Sequence, residues 1–112
     1  RKDCDIKDNQ WPSEFAFEPP KIKRYMPGGQ DRFPDHVDVL DHRTARRFLV
    51  SFIYLDDNEK GETIVTPKDD KFISKCKRGS ILLFPPLWPW MHAGVFPVNK
   101  PKYIVGSYLH YP

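Results

Sequence analysis

His36-Val37-Asp38, a second histidine at His92, and Lys102 ten residues beyond it are the side chains of this sequence best placed to do chemistry. Two imidazoles and one carboxylate can occupy one face of an iron(II) ion. The other face then stays open for an oxidisable co-substrate and dioxygen. In an extended segment residues i and i+2 point to the same side, so His36 and Asp38 can reach one ion while Val37 faces the core or a neighbour. Ala93 and Gly94 follow His92 and leave room around such an ion. Lys102 supplies a cation where a dicarboxylic co-substrate would need one. The plainer reading of the His-x-Asp tripeptide is a surface histidine near an aspartate, in a stretch that also holds Asp35, Asp41 and His42. The later histidine and the lysine at a fixed interval favour the metal.

These side chains must be held by short extended elements. Phe15 and Phe17 alternate with polar neighbours, as do Ile22 and Tyr25, and Pro19-Pro20 separates two short strands there. Arg47 to Leu55 is the strongest predicted strand, rich in aromatic and β-branched residues and closed by Asp56-Asp57-Asn58. Thr63–Thr66, Ile81–Phe84 and Tyr103–His110 read as further strands. Pro67 to Lys77 is charged and reads as a surface loop with one buried spot at Phe72-Ile73, and Pro85 to Pro89 excludes a regular element. The expectation is seven or eight strands with few or no helices: an all-β sandwich or barrel.

The composition sets outer limits. With 112 residues, 39% hydrophobic, the chain suffices for one core, expected over residues 14–112 after a polar lead-in of residues 1–13. A net charge of +3 permits an acidic partner without the concentrated basic stripe expected of a nucleic-acid binder. Cys4 and Cys76 form no CxxC pair, which fits free thiols in a reducing cytoplasm better than a disulfide framework. No apolar run approaches the roughly 20 residues that span a bilayer, so no membrane partner is expected. Oligomeric state is not legible.

Several stretches together resemble the Fe(II)/2-oxoglutarate-dependent dioxygenases, in their prolyl 4-hydroxylase-like branch. They are Arg24-Tyr25-Met26-Pro27-Gly28-Gly29, His36-Val37-Asp38, Phe52-Ile53-Tyr54-Leu55, Gly61-Glu62-Thr63, Gly79 to Pro85, and His92-Ala93-Gly94 with Pro97-Val98 and Lys102. The resemblance implies a double-stranded β-helix, or jelly roll, with the metal inside its open end. It implies His36, Asp38 and His92 as iron ligands and Lys102 as the partner of the distal 2-oxoglutarate carboxylate. Tyr25 and Tyr54 match tyrosines that line or hydrogen-bond the co-substrate, and Thr63 sits where a small side chain faces it. Relatives often carry paired glycines where this chain has Lys60-Gly61, a difference expected to affect a turn and not the site. The implied cofactors are Fe(II) and 2-oxoglutarate, with dioxygen as co-substrate and ascorbate as a reductant. The implied reaction hydroxylates an unactivated C–H bond, that of a prolyl residue in a peptide or protein, and releases succinate and carbon dioxide.

Trp88 and Trp90 stand just before His92, where aromatics could stack on a prolyl ring at the pocket mouth or cap the core. Arg43, Arg46 and Arg47 could draw in acidic substrate segments or form a solvated face. A non-catalytic jelly-roll binding module is the main alternative, and the intact ligand set speaks against it. A cupin-like metal enzyme would use more histidines and have no need of Lys102.

Overall fold

The computed structural model describes residues 6–28, 33–67 and 70–112. Among the described residues nine strands form two antiparallel sheets. The larger contains β1 (Ala16–Phe17), β2 (Lys21–Tyr25), β4 (Arg47–Tyr54), β7 (Ile81–Phe84) and β9 (Lys102–His110). The smaller runs in the order β3 (Phe33–His36), β8 (Trp90–Gly94), β5 (Thr63–Pro67) and β6 (Phe72–Ser74). Among the described residues the only helical element is a 3₁₀ turn at Asp8–Gln10. The fold is a jelly roll, the double-stranded β-helix.

The two longest strands build the larger sheet. Strand β9 pairs with β4 along one edge and with β1 and β2 along the other. Strand β4 in turn carries β7. Period-two alternation sends Val50 and Tyr54 of β4, Leu82 and Phe84 of β7, and Ile104 of β9 inward. Two core clusters result: Val50, Val65, Leu82 and Phe84, and beside them Tyr54, Cys76 and Ile104. Phe52 packs against both and joins them.

Two segments depart from expectation. Trp90–Gly94 is a strand although Pro89 precedes it and Ala93-Gly94 have little strand preference. It forms because β3 and β5 flank it and pair with it on both sides. Phe72-Ile73, expected as a buried spot in a loop, lies instead on an edge strand with both side chains exposed, because β6 pairs with β5 alone. The end of the polar lead-in docks on the domain, Trp11 meeting Phe15 and Phe48 edge-on at 5.9 and 5.6 Å. Cys4 and Gly29 lie outside the described residues.

Candidate metal and co-substrate site

Strand register brings the two histidines together. His36, the last residue of β3, is the cross-strand partner of His92 in β8, and their ring centroids are 4.1 Å apart. Asp38 lies just beyond β3, in a bend held from behind. The Asp38 and Val39 amides both donate to the Pro86 carbonyl, at 2.8 and 3.2 Å, and Arg47 Nη1 donates to the Asp38 carbonyl at 3.3 Å. The proline-rich loop thus fixes the carboxylate.

Both rings turn the same nitrogen inward. His36 Nδ1 lies 2.8 Å from the Pro34 carbonyl, which can only accept, so Nδ1 carries the proton and Nε2 presents its lone pair. His92 Nδ1 faces the Trp90 carbonyl at 3.4 Å in the same sense. The two Nε2 atoms stand 3.2 Å from Asp38 Oδ1 and Oδ2 respectively. His92 Nε2 and Asp38 Oδ2 are buried and neither has a hydrogen-bond partner. A buried polar atom left so costs about 1–3 kcal/mol, which a shared cation would relieve. One donor atom from each of the three residues lies within 4.8 Å of the others. The residues fit a metal ion.

The electrostatics agree with that fit. Burial opposes ionisation of Asp38, yet the facing His36 and His92 imidazoles and the Tyr108 hydroxyl together hold its carboxyl well below the ordinary range. Burial pulls the His36 imidazole down, but the Asp38 carboxylate and the Pro34 carbonyl together outweigh it and leave the ring more basic than usual. Burial, followed by the Asp38 charge, drives the Tyr108 hydroxyl upward.

His36, Asp38, His92 and Lys102 share one narrow cavity of about 40 Å³, also lined by Tyr25, Thr63 and Tyr108. Lys102 is only 3% exposed. Its Nζ donates to the carbonyls of Gly61 (2.9 Å) and Val95 (3.3 Å) and lies 4.7 Å from the centroid of the Tyr25 ring, its cross-strand neighbour. Among the described residues no carboxylate lies within ion-pair distance of it. Desolvation lowers its pKa, against a partial opposing effect of Cys76 and Glu62. The ammonium therefore sits where an incoming carboxylate would be bound strongly.

The remaining expected residues are spread around this cavity. Tyr54 is fully buried behind it, its hydroxyl donating to Thr63 Oγ1 at 2.9 Å, so it braces a wall residue. Trp90 packs on the core cluster and Trp88 is 71% exposed, and neither lines the cavity as expected of a pocket mouth. The Lys60-Gly61 turn is not separate from the site, since the Gly61 carbonyl holds Lys102. Tyr108 and Lys23 line the cavity and went unnoticed in the sequence. Counting by twos from Lys102 along β9 reaches Tyr108, and counting back from Tyr25 along β2 reaches Lys23, which is the signal that could have found them.

The model of the 2OG-Fe(II) oxygenase superfamily matches residues 20–110. A search of curated proteins returned no match. Among solved structures, a Pseudomonas putida prolyl-4-hydroxylase aligns at 16% identity and TM-score 0.70 over 86% of this chain and 53% of its own. A Trichoplax adhaerens prolyl hydroxylase, in complex with a hypoxia inducible factor oxygen degradation domain peptide fragment, aligns at 18% identity and TM-score 0.72 over 85% and 44%. A viral collagen prolyl hydroxylase from Paramecium Bursaria Chlorella virus-1, a 2OG complex, aligns at 25% identity and TM-score 0.69 over 89% and 62%. The chain spans about half the length of these relatives. With the family model covering nearly all the strands that build the cavity, the chain belongs to the 2OG-Fe(II) oxygenase superfamily.

Proposed function

We propose that this chain is the barrel of an Fe(II)- and 2-oxoglutarate-dependent dioxygenase that hydroxylates an unactivated C–H bond of a prolyl residue in a peptide or protein. One observation carries the reading. A buried His92 Nε2 and Asp38 Oδ2 without hydrogen-bond partners share a cavity with a buried Lys102 that has no carboxylate partner among the described residues. That is a place for a cation and a place for an anion within one small volume. The prolyl hydroxylases among the structural relatives, one bound to a peptide fragment, support a peptide substrate.

His36 Nε2, His92 Nε2 and the Asp38 carboxylate would hold the iron. Iron(II) in such a site couples oxidative decarboxylation of 2-oxoglutarate, to succinate and carbon dioxide, with insertion of one oxygen atom of dioxygen into the substrate C–H bond. The protein's own groups do the rest. The Pro34 carbonyl keeps the His36 proton on Nδ1 and so keeps Nε2 available. Lys102 binds the distal carboxylate of the co-substrate and fixes which end of it points at the histidines. Tyr54, through Thr63, stiffens the wall against which the co-substrate lies.

The test is thermal unfolding with redox-inert Mn(II), with and without 2-oxoglutarate, followed by succinate release with Fe(II) and proline-containing peptides. A ligand at ~100 times its dissociation constant adds roughly 2.7 kcal/mol to stability. The expected result is a melting shift that needs both ligands, and peptide-stimulated succinate. A joint shift without turnover on any peptide would point to a jelly-roll binding module. No shift in folded protein would remove the oxygenase reading.

A further inference from the structure

One face of β2 presents Lys21, Lys23 and Tyr25 in alternation. Tyr25 and Lys23 line the metal cavity, Lys23 as an exposed residue at its mouth. Lys21 lines a separate open cavity of about 460 Å³, together with Arg43, Arg46, Arg47 and His110. The two cavities share a wall. Arg47 lines the second, its guanidinium lies 4.0 Å from the centroid of the Tyr108 ring that lines the first, and its Nη1 donates to the Asp38 carbonyl.

The charges along this path are one-sided. Glu18 is the acidic residue of the larger cavity, and it is consumed by Arg47 through a two-pronged pair at 2.7 and 3.0 Å. Lys21, Arg43 and Arg46 are exposed and form no ion pair among the described residues. A concave surface lined by one sign of charge focuses potential and raises the local concentration of oppositely charged ligands. Lys23, two residues along β2 from Lys21, lines the cavity that also holds His36, Asp38 and His92.

We propose that the Lys21–Arg43–Arg46 cavity is the docking subsite for an acidic segment of the peptide substrate, with Lys23 continuing the cationic track to the reacting residue. This rests on the oxygenase reading for what happens at the end of the track, but not for the binding itself. Acidic residues beside the target proline pair with the rim cations, and the proline enters past Lys23. A chain with basic flanks is repelled along the same path. The rim contacts set affinity and association rate and fall off with salt.

The experiment uses the full chain with Mn(II) and 2-oxoglutarate, and short fluorescein-labelled peptides carrying one proline flanked by aspartates, glutamines or lysines. Anisotropy titrations are run at low and high salt, beside a single-stranded oligonucleotide of equal length. The expected order of affinity is aspartate, glutamine, lysine, with the first advantage shrinking as salt rises. The Lys21→Glu and Arg43→Glu/Arg46→Glu variants should each lose about tenfold for the aspartate peptide and little for the glutamine one. Their melting shift with Mn(II) and 2-oxoglutarate should remain. Lys21→Gln and Arg43→Gln/Arg46→Gln give the same direction with a smaller loss, and their melting points report folding. Equal binding of the three peptides, or charge reversals without effect on the aspartate peptide, would overturn the proposal. Tighter, competing binding of the oligonucleotide would overturn it in favour of nucleic acid. A missing Mn(II)/2-oxoglutarate shift with aspartate-selective binding intact would sink the oxygenase reading and leave this surface standing.

Discussion

At the scale of single residues the site joins buried acceptor atoms suited to a cation with a buried ammonium suited to an anion. Asp38 faces both histidines, so its removal leaves two imidazoles and no charge to hold a divalent ion. His36→Ala or Asp38→Ala should abolish the melting shift with Mn(II) and iron-dependent succinate release while the fold persists, as circular dichroism would report. Retained metal binding in either purified variant would take that residue out of the ligand set. Lys102 lines the same cavity and is the candidate partner of the co-substrate. Lys102→Ala should weaken 2-oxoglutarate at least tenfold, the loss of a charge-assisted contact, and leave Mn(II) affinity within about twofold. Calorimetric titration of each ligand separates the two, and an unchanged co-substrate affinity would overturn the assignment.

At the scale of elements the site depends on register and on one turn. Pairing of His36 with His92 across β3 and β8, and of Tyr25 with Lys102 across β2 and β9, sets the positions that the chemistry needs. A one-residue slip in either pair would turn those side chains to the opposite face. Gly61 adopts a φ of +86°, and a Cβ there would stand 2.8 Å from Lys102 Cδ. Gly61→Ala therefore meets backbone strain and displaces the lysine stem together, at a cost of about 1–3 kcal/mol. The expected outcome is a lowered melting point and weakened 2-oxoglutarate binding with Mn(II) affinity retained. An alanine variant with wild-type co-substrate affinity would show that the turn does not position Lys102.

At the scale of the molecule, burial of a cation inside the barrel makes stability depend on pH. Desolvation depresses the Lys102 pKa below its ordinary 10.5. Below the depressed value both folded and unfolded chains carry the charge, and the burial penalty is fully present. Between that value and 10.5 the folded chain sheds a proton that the unfolded chain keeps, so stability rises with pH through this window. Bound 2-oxoglutarate favours the charged lysine, so its melting shift should be largest below the window and fade across it. Melting curves against pH for the wild type and Lys102→Met, with and without co-substrate, check this. Parallel curves for the two proteins would remove the lysine as the cause.

Much of this molecule could be read from the order of its residues. Strands β4, β7 and β9 were legible because their alternation and β-branched content are local properties. His36, Asp38, His92 and Lys102 were legible as a set because ligand types and spacing are written in the chain. Strand β8 was not, since Trp90 to Gly94 becomes extended through pairing on both sides and not through its own preference. Nor was the part played by Pro86, whose carbonyl aims Asp38 from a loop that looked merely irregular. The sequence by itself determined which side chains could hold a metal and a dicarboxylate, because chemistry belongs to residue types. Only the tertiary structure decided that they meet in one buried cavity, with Trp88 outside it and Tyr108 within, because cross-strand register and burial are properties of pairs of segments distant in the chain.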